Sequence, residues 1–291
     1  MKLRSVKVLQ FAEIIDMDGI PVRQPLPSVH VPAVDPFLLL HHHTGHIEPG
    51  TRPQEAGVGP HPHRGFSPVT FVIQGDVHHR DSRGNSSVVK AGGVQWMDAA
   101  MGIMHSERPS KEFAAKGGDQ EIVQLWVNTP HKFKMDQPDY QAIQDEDIPK
   151  IQLENNPGTI SVIAGNYAGK RGPAKTKSEL IILRADMQAG SVHEFIIPDI
   201  YNLIIYVLEG KIEIEKYATV EGLNMLVFKN DGDTVKIKGI EDTKFIVLAG
   251  VPLNEHVEKY GPFVMSSQTE ILQAMRDYQM GKMGILIEEF D

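Results

Sequence analysis

Short apolar runs separated by turn residues fill this chain of 291 residues, and one such unit occurs twice. Residues 70–77 and 205–212 each combine an apolar run, a polar residue, a glycine, a charged residue and a β-branched residue. Runs of this length bounded by turn residues predict strands. Many short strands at regular intervals predict a sandwich or a barrel. The sequence therefore predicts a mainly β protein built from two related β-barrels.

A chain of this length is long for one hydrophobic core, so two domains are expected. The acidic, proline-containing stretch 135–150 suits a linker, and we predict domains at 1–135 and 136–291. Ser267 and Glu270 have the spacing of a capping box that opens a short C-terminal helix. Ile271 and Met275 then recur at helical spacing, so this helix completes the prediction.

Composition narrows the classes of function. The chain has no cysteine, which excludes disulfides and thiolate metal sites. The formal net charge is −9 and no run of Lys or Arg forms a basic patch, so direct nucleic-acid binding is not expected. No apolar segment approaches a membrane span, and Glu13 and Asp16 interrupt the basic N-terminus, which is unlike a signal peptide. We predict a cytoplasmic protein without a membrane partner.

Two triplets have the pattern ligand, spacer, ligand: His61-Pro62-His63 and His105-Ser106-Glu107. On a strand, side chains at i and i+2 point to the same face. A lone histidine is usually a hydrogen-bonded core or surface residue, but two triplets on strands of one barrel favour a metal site. If both strands face one cavity, three imidazoles and one carboxylate converge there.

Nitrogen and oxygen donors without sulfur suit Fe(II) best, and they leave Mn, Ni, Cu and Zn open. Three neutral imidazoles and one carboxylate leave a divalent ion with a net charge of about +1. Such a site attracts an anionic oxygen, such as a deprotonated enol or phenol. A six-coordinate ion would keep two positions for substrate and dioxygen, or for water.

Three long segments of the chain resemble one known family. Residues 59–85 and 92–107 resemble the metal-binding signature of the pirin family, within the cupin superfamily, and residues 251–267 resemble the segment that closes the second barrel of pirins. The resemblance covers most of the chain. It implies a bicupin: two jelly-roll barrels face to face, with a metal in the first only. It also implies His61, His63, His105 and Glu107 as ligands of an Fe(II) ion.

Bacterial pirins are similar to quercetin 2,3-dioxygenases, and this resemblance implies an activity. A flavonol-like aromatic substrate would bind through its deprotonated 3-oxygen, and Glu107 would be the base that takes the proton. Dioxygen would then open the ring with loss of carbon monoxide. The alternative implied by the family is a redox-sensitive, iron-binding regulatory protein that binds transcription factors or metabolic enzymes. A cavity at the metal would favour the enzyme, whereas a sealed metal with an exposed apolar patch would favour the regulator.

Several positions depart from the pattern or carry smaller predictions. Ser67 stands where many cupins have a glutamate, which could change the polarity of the cavity. In the second half only His193-Glu194 offers ligands, and neighbouring residues face opposite ways, so no metal is expected there. The same alternation allows only one of His78 and His79 to face inward. It also directs Arg64 away from the metal, into a predicted salt bridge.

Overall fold

The computed structural model describes residues 1–153 and 157–290, and strands dominate both halves. The strands of the first half are β1 (Val6–Phe11), β2 (Glu13–Met17), β3 (Ile20–Leu26), β4 (Phe37–Ile47), β5 (Val58–His63), β6 (Phe66–Gln74), β7 (Asp76–Asp81), β8 (Ser86–Lys90), β9 (Val94–Asp98), β10 (Ile103–Arg108), β11 (Gly118–Asn128) and β12 (Asp139–Ile143).

The second half continues with strands of similar length. They are β13 (Lys150–Gln152), β14 (Gly158–Ala164), β15 (Asn166–Tyr167), β16 (Lys170–Arg171), β17 (Leu180–Met187), β18 (Val192–Ile196), β19 (Asn202–Glu209), β20 (Lys211–Ile214), β21 (Thr219–Glu221), β22 (Asn224–Phe228), β23 (Thr234–Gly239), β24 (Thr243–Gly250), β25 (Glu258–Tyr260) and β26 (Phe263–Met265).

Short helices complete the fold. The α-helices are α1 (Lys111–Lys116) and α2 (Gln268–Gln279), and single 3-10 turns lie at Pro53–Glu55, His131–Phe133 and Asp145–Asp147. The predicted start of the C-terminal helix is confirmed, because the Ser267 hydroxyl accepts a hydrogen bond from the Glu270 amide. Within the described ranges, no helix is both long enough and apolar enough to cross a lipid bilayer.

The chain folds into two compact units. The C-terminal unit comprises Met1–Ile15, Arg23–Pro36 and Asp147–Leu253. The metal-triplet unit comprises Asp16–Val22, Phe37–Glu146 and Asn254–Asp291. Each unit therefore takes a segment from the opposite end of the chain, which local patterns do not reveal. The linear division at residues 135 and 136 stays a prediction.

The metal-triplet unit contains two facing groups of strands. One sheet runs β12-β9-β6-β11-β4 and continues into the part of the β2–β3 hairpin that belongs to this unit. The other sheet runs β5-β10-β7-β8. Gly75, the glycine of the first repeat, joins β6 to β7 and has a φ of 79°, a conformation that suits glycine because it lacks a Cβ.

The C-terminal unit repeats this order. One sheet runs β1-β22-β19-β24-β17-β14-β13, and the other runs β18-β23-β20-β21. The series β9-β6-β11-β4 thus corresponds to β22-β19-β24-β17, and Gly210, with a φ of 76°, takes the place of Gly75. The hairpin repeat in the sequence therefore marks a duplicated barrel. Its interior holds a large apolar core that includes Leu183, Phe195 and Phe245.

Candidate metal centre

The two predicted triplets meet because β5 and β10 are antiparallel neighbours. His105 lies directly opposite His61 in this register, and His63 follows two residues later on the same face of β5. The ring centroids of His61 and His105 are 4.3 Å apart, those of His61 and His63 are 4.7 Å apart, and those of His63 and His105 are 5.0 Å apart. One strand pairing therefore gathers all three imidazoles.

The donor atoms of this cluster suit a metal ion. One ligand nitrogen from each histidine lies within 4.8 Å of the others. His61 Nδ1 donates a hydrogen bond to the Gly59 carbonyl at 2.8 Å, and His63 Nδ1 donates to the Pro262 carbonyl at 3.4 Å. A carbonyl only accepts, so in the neutral rings both Nδ1 atoms carry the proton and both Nε2 atoms carry lone pairs.

The two Nε2 atoms of His61 and His63 are 3.1 Å apart. Two facing lone pairs at this distance repel each other unless a cation lies between them. Nitrogens bound to one ion at about 2.1 Å, at a right angle, would be separated by about 3 Å. The residues present therefore fit a transition metal.

His105 adds the third donor. Its Nε2 is buried and has no hydrogen-bond partner among the described residues. His105 is 1% exposed and His63 is 3% exposed. Burial, together with the neighbouring His61, lowers the pKa of both side chains well below the ordinary value. Both rings are therefore neutral, which is the form that binds metals.

Glu107 lies near this cluster but outside it. The β5–β10 register shifts between His105 and Glu107, and the group of donors within 4.8 Å contains the three histidines without Glu107 in the described part of the chain. Its carboxylate accepts hydrogen bonds from Thr70 Oγ1 at 2.8 Å, Gln124 Nε2 at 2.7 Å and Gln95 Nε2. Glu107 as a ligand and base stays a prediction.

We call Thr70, Gln95 and Gln124 the carboxylate cradle. These residues lie on the adjacent strands β6, β9 and β11, and Thr70 is directly opposite both glutamines. Their side chains form a row across one face of the sheet. Each donates to Glu107, so the buried carboxylate is satisfied by neutral donors and no Lys or Arg is needed beside it.

Two aromatic residues orient the amides of the cradle. Trp126 Nε1 donates to Gln124 Oε1 at 3.1 Å, and the Tyr140 hydroxyl donates to Gln95 Oε1 at 3.4 Å. Both glutamines must then present their NH₂ groups to Glu107. Gln124 was detectable as a polar residue inside an apolar strand, but sequence reasoning did not assign it. Tyr140 gave no signal, because its position follows from the pairing of β12 with β9.

Aromatic rings border the histidines, and Ser67 lies away from them. The ring centroids of Phe66 and Trp126 are 5.0 and 5.4 Å from that of His63. Ser67 points to the opposite face of β6 and donates to Asp98 Oδ1 at 3.5 Å. A serine in place of the usual cupin glutamate at position 67 therefore changes the polarity of the face of β6 that points away from the histidines. The predicted salt bridge of Arg64 is confirmed with Asp277, at 2.9 Å.

The equivalent strands of the C-terminal unit carry a different set of side chains. With Gly210 equivalent to Gly75, Ile214 on β20 corresponds to His79, and Ile237 on β23 corresponds to Glu107. Val235 then corresponds to His105, and Phe195 on β18, which lies opposite Val235, corresponds to His61. His193 lies two residues before Phe195, where its Nε2 is 2.8 Å from the Tyr167 hydroxyl. Apolar side chains therefore occupy the positions that correspond to His61, His105 and Glu107.

Family comparisons agree with this architecture. The model described as Pirin matches residues 19–127, and the model described as the pirin C-terminal cupin domain matches residues 182–284. The first match contains both histidine triplets. The two matches correspond to the two barrels of a bicupin.

Three relatives are similar along nearly the whole chain. A Pseudomonas aeruginosa protein named "Putative quercetin 2,3-dioxygenase" is 40% identical over 267 residues, which cover 91% of this chain and 92% of that protein. A Solanum lycopersicum "Pirin-like protein" is 36% identical over 270 residues, covering 92% and 88%. A crystal structure titled quercetin 2,3-dioxygenase from Acinetobacter baumannii matches with a TM-score of 0.92 and 39% identity, covering 98% of this chain and 100% of that one.

Proposed function

This chain belongs to the pirin family, and on that premise we propose that it is a metal-dependent dioxygenase that opens flavonols such as quercetin. The names of the P. aeruginosa and A. baumannii relatives support the reaction class. The observation that carries the proposal is the convergence of three imidazoles, with a His105 Nε2 that has no partner among the described residues and with the Nε2 atoms of His61 and His63 3.1 Å apart. Such a group of donors fits a metal cation.

We propose Fe(II) as the ion, with Mn, Ni, Cu and Zn as alternatives, because the donors are nitrogen and oxygen only. His61, His63 and His105 would hold it, and Glu107 would be an exchangeable fourth ligand. When bound, the ion would supply a Lewis acid for the substrate's 3-oxygen and a site for dioxygen. Three imidazoles leave coordination positions open for both.

Glu107 would take the proton of the flavonol 3-hydroxyl. Its carboxylate is kept ready for this role by the carboxylate cradle, whose neutral donors orient it without neutralising its charge. Phe66 and Trp126, which lie against His63, would form an apolar wall for the aromatic substrate. Ring opening with dioxygen would then release carbon monoxide. A cytoplasmic location, and a protein partner in place of an enzyme role, stay predictions.

The test is turnover by metal-loaded protein. Protein loaded with Fe(II) without oxygen is mixed with quercetin in air, and the flavonol absorbance and released carbon monoxide are followed. We expect absorbance to fall and carbon monoxide to appear in equal molar amounts. The metal-free protein and a metal-loaded His61→Ala variant serve as controls. Absorbance that declines no faster than in these controls would remove the proposal.

A further inference from the structure

A third triplet, His79-Arg80-Asp81 on β7, lies beside the histidine cluster. β7 pairs with β10, so that Asp81 is directly opposite His105 and His79 is opposite Glu107. His79 is 0% exposed and Asp81 is 4% exposed. His79 Nε2 is 3.0 Å from Asp81 Oδ2, and His79 Nδ1 is 3.5 Å from His105 Nδ1. A chain of contacts thus runs from a buried carboxylate to one metal-site imidazole.

The Asp81 carboxylate is held in one orientation. Its Oδ1 accepts from the backbone amides of Arg83 at 2.8 Å and Asn85 at 3.1 Å, and its Oδ2 accepts from Asn85 Nδ2 at 2.8 Å. Both oxygens of Asp81 therefore act as acceptors.

Because Asp81 accepts, the position of each proton in the series Asp81, His79 and His105 is fixed. His79 must donate from Nε2, which leaves a lone pair on its Nδ1. His105 must then donate from its own Nδ1 to that lone pair, which leaves a lone pair on His105 Nε2. This nitrogen has no partner among the described residues, and the His105 ring centroid lies 4.3 and 5.0 Å from those of His61 and His63. Tyr140 stacks on His79 at 3.9 Å and 7° and fixes the plane of the ring.

We propose that Asp81 and His79 are positioning residues that hold His105 in the tautomer that binds the metal. This inference rests on the proposed metal site. It sets His105 apart from the other two histidines, whose outer nitrogens meet backbone carbonyls that no side-chain substitution can remove. His105 is thus the ligand whose affinity for metal depends on side chains outside the cluster.

The substitution Asp81→Asn tests the direction of these hydrogen bonds. The backbone amides of Arg83 and Asn85 require an acceptor at the Oδ1 position, so the new amide turns its NH₂ toward His79. The Asn85 side-chain amide, which donates to Oδ2 in the wild type, then turns its oxygen toward that NH₂. His79 would then accept at Nε2 and carry its proton on Nδ1. His105 would face a donor, and its own proton would move to Nε2, where the metal should bind.

The tautomers can be read in the metal-free protein by NMR of ¹⁵N-labelled histidines. We expect the Nδ1–H tautomer of His105 in the wild type and the Nε2–H tautomer in Asp81→Asn. A second variant, His79→Phe, keeps an aromatic ring against Tyr140 but removes the acceptor for His105. The control is His78→Asn on the outer face of β7, where His78 Nε2 is 3.0 Å from Ser86 Oγ.

Metal affinity is measured separately, by competition between the protein and a chelator for Ni(II). We expect Asp81→Asn and His79→Phe to weaken binding about 10–100-fold, with no change in His78→Asn. An Nε2–H tautomer of His105 in the wild type, or unchanged affinity in both variants, would overturn the proposal. If the wild type binds no metal at these histidines, the proposed function fails, and the positioning proposal fails with it whatever the NMR shows. A wild type that binds metal while both variants match it in affinity refutes the positioning role alone.

Discussion

His105 and His61 face each other across the β5–β10 pair with their ring centroids 4.3 Å apart. This pairing turns two separate sequence triplets into one cluster of three donors. The same register leaves Glu107 beyond a shift in the pairing, where the carboxylate cradle holds it. The three imidazoles and the carboxylate therefore have separable roles, and substitutions can distinguish them.

The variant His105→Ala should lose its bound metal. Two imidazoles remain, and the pair His61 and His63 alone leaves a divalent ion under-coordinated. Metal content is measured by mass spectrometry on protein purified without chelator. The matched control is His193→Ala, because His193 lies on β18 in the corresponding sheet of the C-terminal unit. This variant should keep the metal content of the wild type. Equal metal in wild type and His105→Ala would contradict the proposed site.

The variant Glu107→Gln should keep its metal and lose turnover. The three histidines still bind the ion, but the amide cannot take the proton of the flavonol hydroxyl. General bases contribute roughly 10²–10⁴-fold to rates, so kcat should fall by about that factor. Metal content and kcat are measured on the same preparation. Complete loss of metal in this variant would mean that Glu107 is an obligatory ligand and not an exchangeable one.

The variant Gln124→Leu tests the carboxylate cradle. It leaves Glu107 Oε2 without its donor and Trp126 Nε1 without its acceptor. A buried polar group without its partner costs about 1–3 kcal/mol, so the free energy of unfolding should drop by at least that much. The measurement is urea denaturation. The control is Gln74→Leu, at the exposed end of the neighbouring strand β6, whose free energy of unfolding should stay within about 0.5 kcal/mol of the wild-type value. Equal losses of stability in both variants would argue against the carboxylate cradle.

The variant Asp277→Ala should destabilise the metal-triplet unit. Asp277 on α2 bonds to Arg64, which lies beside His63 in sequence and is 2% exposed. Removing the carboxylate leaves a buried cation unpaired, which typically costs about 3–5 kcal/mol. Denaturant unfolding at pH 7 measures this cost. The exposed Asp119→Asn substitution removes the charge of a surface ion pair with His46 and should change stability little.

The same carboxylate predicts a pH dependence. Burial opposes ionisation of Asp277, but hydrogen bonds from Lys282, Arg64 and Gln273 outweigh it and lower the pKa to about 2. Since the pKa is about 3.9 in an unfolded chain, the unfolded state binds the proton first. The contribution is complete above about pH 4 and is lost as the pH falls toward 2. The stability difference between wild type and Asp277→Ala should shrink over that window, and a constant difference would contradict the assignment.

The sequence by itself determined the local features of this protein. Alternation of side chains and turn residues predicted the strands. The repeat of residues 70–77 at 205–212 predicted two barrels, and Ser267 with Glu270 predicted the start of the helix. Spacing of i and i+2 selected His61, His63, His105 and Glu107, because side-chain direction on a strand depends only on the local backbone. The triplet His79-Arg80-Asp81 obeys the same rule and could have been read the same way.

Only the tertiary structure decided which strands are neighbours and in which register. The shift that separates Glu107 from the histidines, the row formed by Thr70 and Gln124, and the placement of β1 in the sheet of the C-terminal unit all depend on pairings between distant segments. Such pairings are settled by the packing of the whole barrel, because each hydrogen-bonded strand fixes the positions of the next. The order of residues along one strand does not determine these pairings.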